Sequence, residues 1–156
     1  MKNLTQNIGP LPIRIMFGIA FIYYGIPKLF DPQTHEFITG MLTQIGVPAP
    51  DFMTYVVGAV ETLGGLSLIV GVFTPFASAA LIPVMLVALF NVHISQGFSF
   101  MHIISMTEAG PQFGVPGYEV NLIYIAGLFT LILVGAGKYS LDNIITLRLA
   151  RTKSAQ

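Results

Sequence analysis

The stretch "YVVGAVETLGGLSLIVGVF", residues 55–73, decides the fold. It holds one ionisable group, Glu61, in nineteen residues. At about 1.5 Å per residue a helix of that length nearly crosses the roughly 30 Å hydrocarbon core of a bilayer. A carboxylate at the centre of such a helix costs about 2.5–3.5 kcal/mol. It therefore needs a partner or a purpose.

Working outward, apolar segments of about span length fall at 10–30, 52–72, 75–95 and 118–136. These predict an all-α protein, a four-transmembrane-helix antiparallel bundle with short interfacial helices, forming one integral-membrane domain over residues 1–156. Only "GVFTPF" separates the second and third segments, and Gly71 and Pro75 suit a tight turn between antiparallel helices. Residues 31–50 place Phe37, Ile38, Met41, Leu42 and Ile45 at helical spacing, as in a short interfacial helix. Residues 96–117 show no period and are expected to form a loop against the mouth of the bundle. Residues 139–152 read as an amphipathic basic tail, with Ser140 as N-cap and Arg148 and Arg151 late in the segment. The amino-terminal apolar stretch has no small-residue cleavage site after it and is expected to be a retained helix.

Charged residues make up 9% of the chain, against roughly 25% in soluble domains. The seven basic and seven acidic residues cancel, and the basic ones form no run, so no nucleic-acid surface is expected. No cysteine is present, which removes disulfides, thiol chemistry, Cys-ligated metal clusters and covalently held c-type haem. The partners that remain are the lipid bilayer, an apolar small molecule, another protein or a second copy of the chain. Lys2, Lys138, Arg148, Arg151 and Lys153 fall on the side of both termini, and the two long loops hold neither Lys nor Arg. By the positive-inside rule both termini are expected in the cytoplasm, in a bacterial-type inner (plasma) membrane.

The candidate site residues are the charges within the spans. On the first segment Arg14, Gly18, Phe21, Gly25 and Lys28 are spaced 4, 3, 4, 3 and form one stripe. On the second, Thr54, Gly58, Glu61, Gly64, Gly65 and Leu68 share a face. Lipid rejects charge, so both stripes are expected to face inward, with glycines admitting a neighbouring helix or a flat ligand. Arg14 is the nearest deep cation to Glu61, with Lys28 the alternative. Lys28, His93 and Glu119 lie near helix ends and are expected to form an outer polar layer. No Glu-x-x-His spacing is present for a di-iron bundle, and His93 with His102, nine residues apart with one in a loop, makes a poor haem pair. No metal site is expected, and His35 and Glu36 read as solvated loop residues.

At these positions the chain resembles the DoxX family of small four-helix inner-membrane proteins. The matching pieces are "RIMFGIAFIYYGIPKL", "VETLGGLSLIVGVFTPFAS", "NVHISQGF", "YEVNLIY" and "GAGKYSLDNII", which run from about residue 13 to 145. The family includes the membrane subunit of a thiosulfate–quinone oxidoreductase, so the resemblance implies a quinone-linked oxidoreductase subunit. The missing cysteine argues against sulfane-sulfur chemistry in this chain.

Two functional readings follow. In the first, a quinone-like molecule sits in the outer half of the bundle, with Glu61 and His93 catalytic and Arg14, Lys28 and Glu119 binding. In the second, the same groups lock helix register in a non-catalytic anchor or assembly partner. A small-solute transporter ranks below both, because no inverted repeat is visible.

Overall fold

The computed structural model describes residues 8–145. Its elements are α1 (Pro10–Phe30), α2 (Pro32–Gln44), α3 (Pro50–Val70), α4 (Thr74–Ala88), β1 (Ile103–Thr107), β2 (Gly110–Phe113) and α5 (Glu119–Val134). Helices α1 to α4 each carry proline in their first turn, Pro10, Pro32, Pro50 and Pro75. There the missing N–H breaks no helical bond, and the fixed φ suits the helix.

Among the described residues, three helical stretches are long and apolar enough to cross a membrane: Pro10–Phe30, Pro50–Val70 and Thr74–Gln96. The last includes α4, a wider π-helical turn at Leu89–His93 and a tighter 3₁₀ turn at Ile94–Gln96. The fourth apolar helix, α5, has 16 residues, about 24 Å of rise. It is shorter than the segment 118–136 expected from the sequence.

The most extensive helix contact joins α1 to α3, followed by α4 to α5 and α3 to α4. Gly18 and Gly65 set the first crossing. A Cβ added to Gly18 would lie 2.7 Å from the Gly65 carbonyl oxygen, and one added to Gly65 would lie 2.7 Å from that of Gly18. Backbones this close admit no side chain between them. Phe21, Leu68, Leu81, Leu128 and Leu131 form the core, with Phe17, Met85 and Tyr124 packed against it. Met16, Leu63, Phe76, Phe129 and Leu133 point outward, as expected of helices whose surroundings are lipid.

The segment expected to be an irregular loop at 96–117 instead contains the antiparallel hairpin β1–β2. A bulge between Ile103 and Ser105 breaks the two-residue alternation, which is why no period shows in the sequence. At the far end, Asn143 N–H donates to the Ser140 hydroxyl at 3.2 Å and residues 141–145 are helical, so Ser140 does cap a helix. The part of the basic tail from 146 to 152, with Lys2, Arg148, Arg151 and Lys153, lies outside the described residues.

Candidate functional site

Glu61 is 3% exposed and lies on the inward stripe of α3. Its carboxylate accepts a hydrogen bond from the ammonium of Lys28, on α1, in a close ion pair. The same ammonium donates to the Tyr24 carbonyl at 3.2 Å. Gly25 makes the pair reachable: a Cβ there would lie 2.9 Å from the Glu61 Cβ and 2.8 Å from the Thr62 backbone nitrogen. With only hydrogen at that position, α1 and α3 close until a lysine one turn further on meets the carboxylate.

Arg14 is fully buried and does not reach Glu61. Its Nε donates to the Leu68 carbonyl at 2.8 Å and an Nη to that of Ile69 at 3.1 Å; the other Nη donates to Ala136 and, at 3.0 Å, to Tyr139. The reason lies in how α3 ends. Gly71, with φ of 74°, turns the chain, and Val72 N–H returns to the Ser67 carbonyl at 3.1 Å. Leu68 and Ile69 are thereby left among the acceptors that a helix end strands, and the guanidinium fork takes them. Arg14 thus ties the end of α3 to the turn after α5. A Cβ on Gly71 would strike the guanidinium at 2.2 Å.

His93 and Glu119 are joined neither to each other nor to the Lys28–Glu61 pair by any hydrogen bond or ion pair among the described residues. His93 Nδ1 bonds the Pro116 carbonyl at 2.7 Å, and Glu119 Oε2 accepts the Phe100 N–H at 3.1 Å. Both brace the connection between α4 and α5. The expected outer layer of Lys28, His93 and Glu119 is thus divided between two places.

His35 departs from the solvated loop position expected of it, whereas Glu36 beside it is exposed. His35 lies on α2 with its side chain 14% exposed, its Nδ1 2.7 Å from the Lys28 carbonyl and its Nε2 3.0 Å from Asp51. Its ring stacks on Tyr55 at a centroid distance of 4.2 Å. Both neighbours are acceptors, so full satisfaction needs both ring N–H groups, and the imidazole is held above its ordinary pKa by the Lys28 carbonyl first and Asp51 second. The sequence signal was Pro32: four residues after Lys28, it has no N–H to give that carbonyl.

Asn121 is a residue that sequence reasoning missed. It is 5% exposed on the inward face of α5, one turn from Tyr124, and makes no side-chain hydrogen bond among the described residues. The Thr62 hydroxyl, next to Glu61, is likewise buried without a partner. A cleft of about 310 Å³ opens between α1, α2 and α3, lined by Leu29, His35, Glu36, Thr39, Asp51 and Tyr55 among others. A groove of about 460 Å³ runs along α3 and α4 past Val60, Leu63, Ser67 and Phe76. Lys28 and Glu61 line neither. No group of three or more His, Asp or Glu side chains suited to a metal gathers among the described residues.

Crossing-length apolar helices and one ion pair buried between two of them define the class, a helical membrane protein. The DoxX family model matches residues 9–94, and the chain belongs to the DoxX family. It is 27% identical to an uncharacterized membrane protein of Mycobacterium tuberculosis, over 94% of this chain and 88% of that one. An uncharacterized Haemophilus influenzae protein is 32% identical over 93% of this chain and 88% of its own length. CatD of Bacillus subtilis, provisionally named an oxidoreductase, is 35% identical over 46% of this chain and 50% of its own. No solved structure matches the chain.

Proposed function

We propose that the protein is a four-crossing inner-membrane subunit of a redox system, with both termini cytoplasmic, and that the Lys28–Glu61 pair receives the oxygen end of a quinone-like molecule. The observation that carries this reading is the pair itself, an ammonium and a carboxylate held inside an apolar bundle. The chemistry fits. An ammonium donates to a quinone carbonyl and passes that oxygen a proton as the ring is reduced, and the carboxylate relays a proton back to the lysine, each two-electron reduction taking up two protons from water. Lys28 retains 12% side-chain exposure against 4% for Glu61, so the lysine is the arm that swings away to admit a ligand. Electrons come from a partner protein. The relative named as an oxidoreductase agrees with a redox role. In this reading Arg14 holds the bundle's inner end, while His93 and Glu119 hold the connection through which protons would enter.

The test is to purify the protein in native-lipid particles and extract bound quinones. Wild type is expected to retain quinone, and Glu61→Gln and His93→Ala to lose retention or the linked reductase activity. If both variants match wild type in both measurements, the reading fails.

One observation favours the second reading, a non-catalytic anchor: the four hydrogen bonds that Arg14 makes to Leu68, Ile69, Ala136 and Tyr139 all go to main-chain carbonyls, an architectural use of a buried charge. If so, the same substitutions lower folded yield without altering activity, and a mild-detergent pull-down recovers a protein partner with no bound small molecule.

A further inference from the structure

The connection from α4 to α5 is an amphipathic hairpin whose apolar face rests on no protein. Its register pairs Thr107 with Gly110, Met106 with Pro111, Ser105 with Gln112 and, past the bulge, Ile103 with Phe113. Side chains alternate between the faces of a strand, so Ser105, Thr107 and Gln112 share one face, where the Ser105 hydroxyl donates to Gln112 at 2.8 Å. Met106 and Pro111 occupy the other. Without the bulge, Ile103 would fall beside Ser105. The extra residue, Ile104, resets the alternation, and Ile103 joins Phe113 on the side of Met106. These side chains stand open, Met106 at 75%, Phe113 at 60% and Ile103 at 48%.

What covers this face follows from where the hairpin is rooted. Gly117, Tyr118 and Glu119 N–H groups donate at 3.0 Å to the carbonyls of Ser99, Gly97 and Phe98. The foot is thus bonded directly to the outer end of α5 and the last turn beyond α4. At about 24 Å, α5 falls about 6 Å short of the hydrocarbon thickness; when it crosses, its end and whatever is bonded to it are drawn towards lipid. Exposed apolar side chains also continue along the chain from the end of the α4 stretch, at Phe90, Ile94, Phe98 and Phe100, to the strands. Between Asn91 and Tyr118 there is no Lys or Arg, and the one acidic residue, Glu108, lies at the hairpin's turn.

We propose that the hairpin lies in the membrane interface on the side opposite the termini, with Ile103, Met106, Pro111 and Phe113 among lipid chains and Ser105, Thr107 and Gln112 towards water. The hairpin then acts as a β-structured float that anchors a short fourth helix, as an amphipathic helix would. This inference rests on the four-crossing reading.

The chain has no tryptophan, so a single introduced one reports its own depth. Met106→Trp, Phe113→Trp, Gln112→Trp and, as reference on the outward face of α5, Phe129→Trp are reconstituted in phosphatidylethanolamine–phosphatidylglycerol vesicles with brominated acyl chains. Each variant is first matched to wild type in thermal unfolding. The expected result is blue-shifted emission, mostly quenched by bromine, at positions 106, 113 and 129, with red-shifted, unquenched emission at 112. Quenching at 129 with none at 106 and 113 overturns the hairpin proposal and leaves the crossing of α5 intact, as does equal quenching at 106, 112 and 113. No quenching at 129 overturns the four-crossing reading and this proposal with it.

Discussion

The ring of His35 donates to the main-chain carbonyl of Lys28, the residue whose ammonium grips Glu61. One lysine therefore links an ionisable group outside the spans to the buried carboxylate. Because Pro32 cannot supply an N–H to that carbonyl, His35 fastens α2 to the end of α1, while its other nitrogen fastens it to Asp51 at the start of α3.

This latch makes the attachment of α2 depend on pH. The pKa of His35 is raised above its ordinary 6.5, so the protonated ring is the form that folding favours. Its contribution is complete below about pH 6.5, the unfolded value, and is lost as pH rises through the higher folded one. Neutral imidazole keeps a single N–H and must release Lys28 or Asp51. Asp31, Glu36 and Asp51 all border the same cleft, and none of them supplies the missing donor. Hydrogen exchange across α2 should therefore quicken from pH 6 to pH 9 by more than the intrinsic amide rate, and His35→Gln should abolish that excess. An equal excess in the variant refutes the latch.

Breaking the Lys28–Glu61 pair from one side strands a buried charge, which costs about 3–5 kcal/mol. Lys28→Met alone and Glu61→Leu alone should each destabilise the protein by about that much, whereas the double substitution should recover most of the loss, because an apolar pair of similar volume packs without desolvation. Thermal unfolding in lipid nanodiscs supplies the cycle. Additive losses would mean that the two side chains do not depend on each other.

Much of this arrangement was legible in the chain. The stripe of Arg14, Gly18, Phe21 and Gly25 and that of Thr54, Gly58, Glu61, Gly64, Gly65 and Leu68 are the buried faces of α1 and α3, because charge and glycine at helical spacing have no place against lipid. Which cation meets Glu61 was not legible. Arg14 and Lys28 lie on the same stripe, and the choice depends on where α3 ends: its stranded carbonyls capture the guanidinium, leaving the lysine for the carboxylate. The hairpin was hidden by its own bulge, and the burial of His35 by its dependence on a single missing N–H at Pro32.

Arg14 meets carbonyls from two segments at once, which needs a planar fork with donors on several nitrogens. A lysine has a single nitrogen and cannot span from Leu68 to Ala136. Arg14→Lys should therefore lose stability nearly as Arg14→Ala does, by about 1.5–3 kcal/mol for each charged hydrogen bond removed. Monodisperse yield in detergent and the unfolding midpoint both report it. A lysine variant that behaves as wild type would show that charge alone suffices.

Gly25 and Gly40 offer a matched pair of alanine substitutions with opposite signs. On α2, a Cβ at Gly40 meets nothing within 4 Å, so Gly40→Ala should stabilise by about 0.5–1 kcal/mol through the lost freedom of the unfolded chain. On α1, a Cβ at Gly25 meets the Thr62 hydroxyl at 2.5 Å, the Thr62 nitrogen at 2.8 Å and the Glu61 Cβ at 2.9 Å. Two of these belong to the α3 backbone or to a carbon next to it, so the helices themselves must part. Gly25→Ala should cost about 1–3 kcal/mol or more from overpacking and should also weaken the Lys28–Glu61 coupling measured by the double-mutant cycle, because the lysine no longer reaches. If Gly25→Ala left that coupling energy unchanged, close approach at this glycine would not be what brings the pair together.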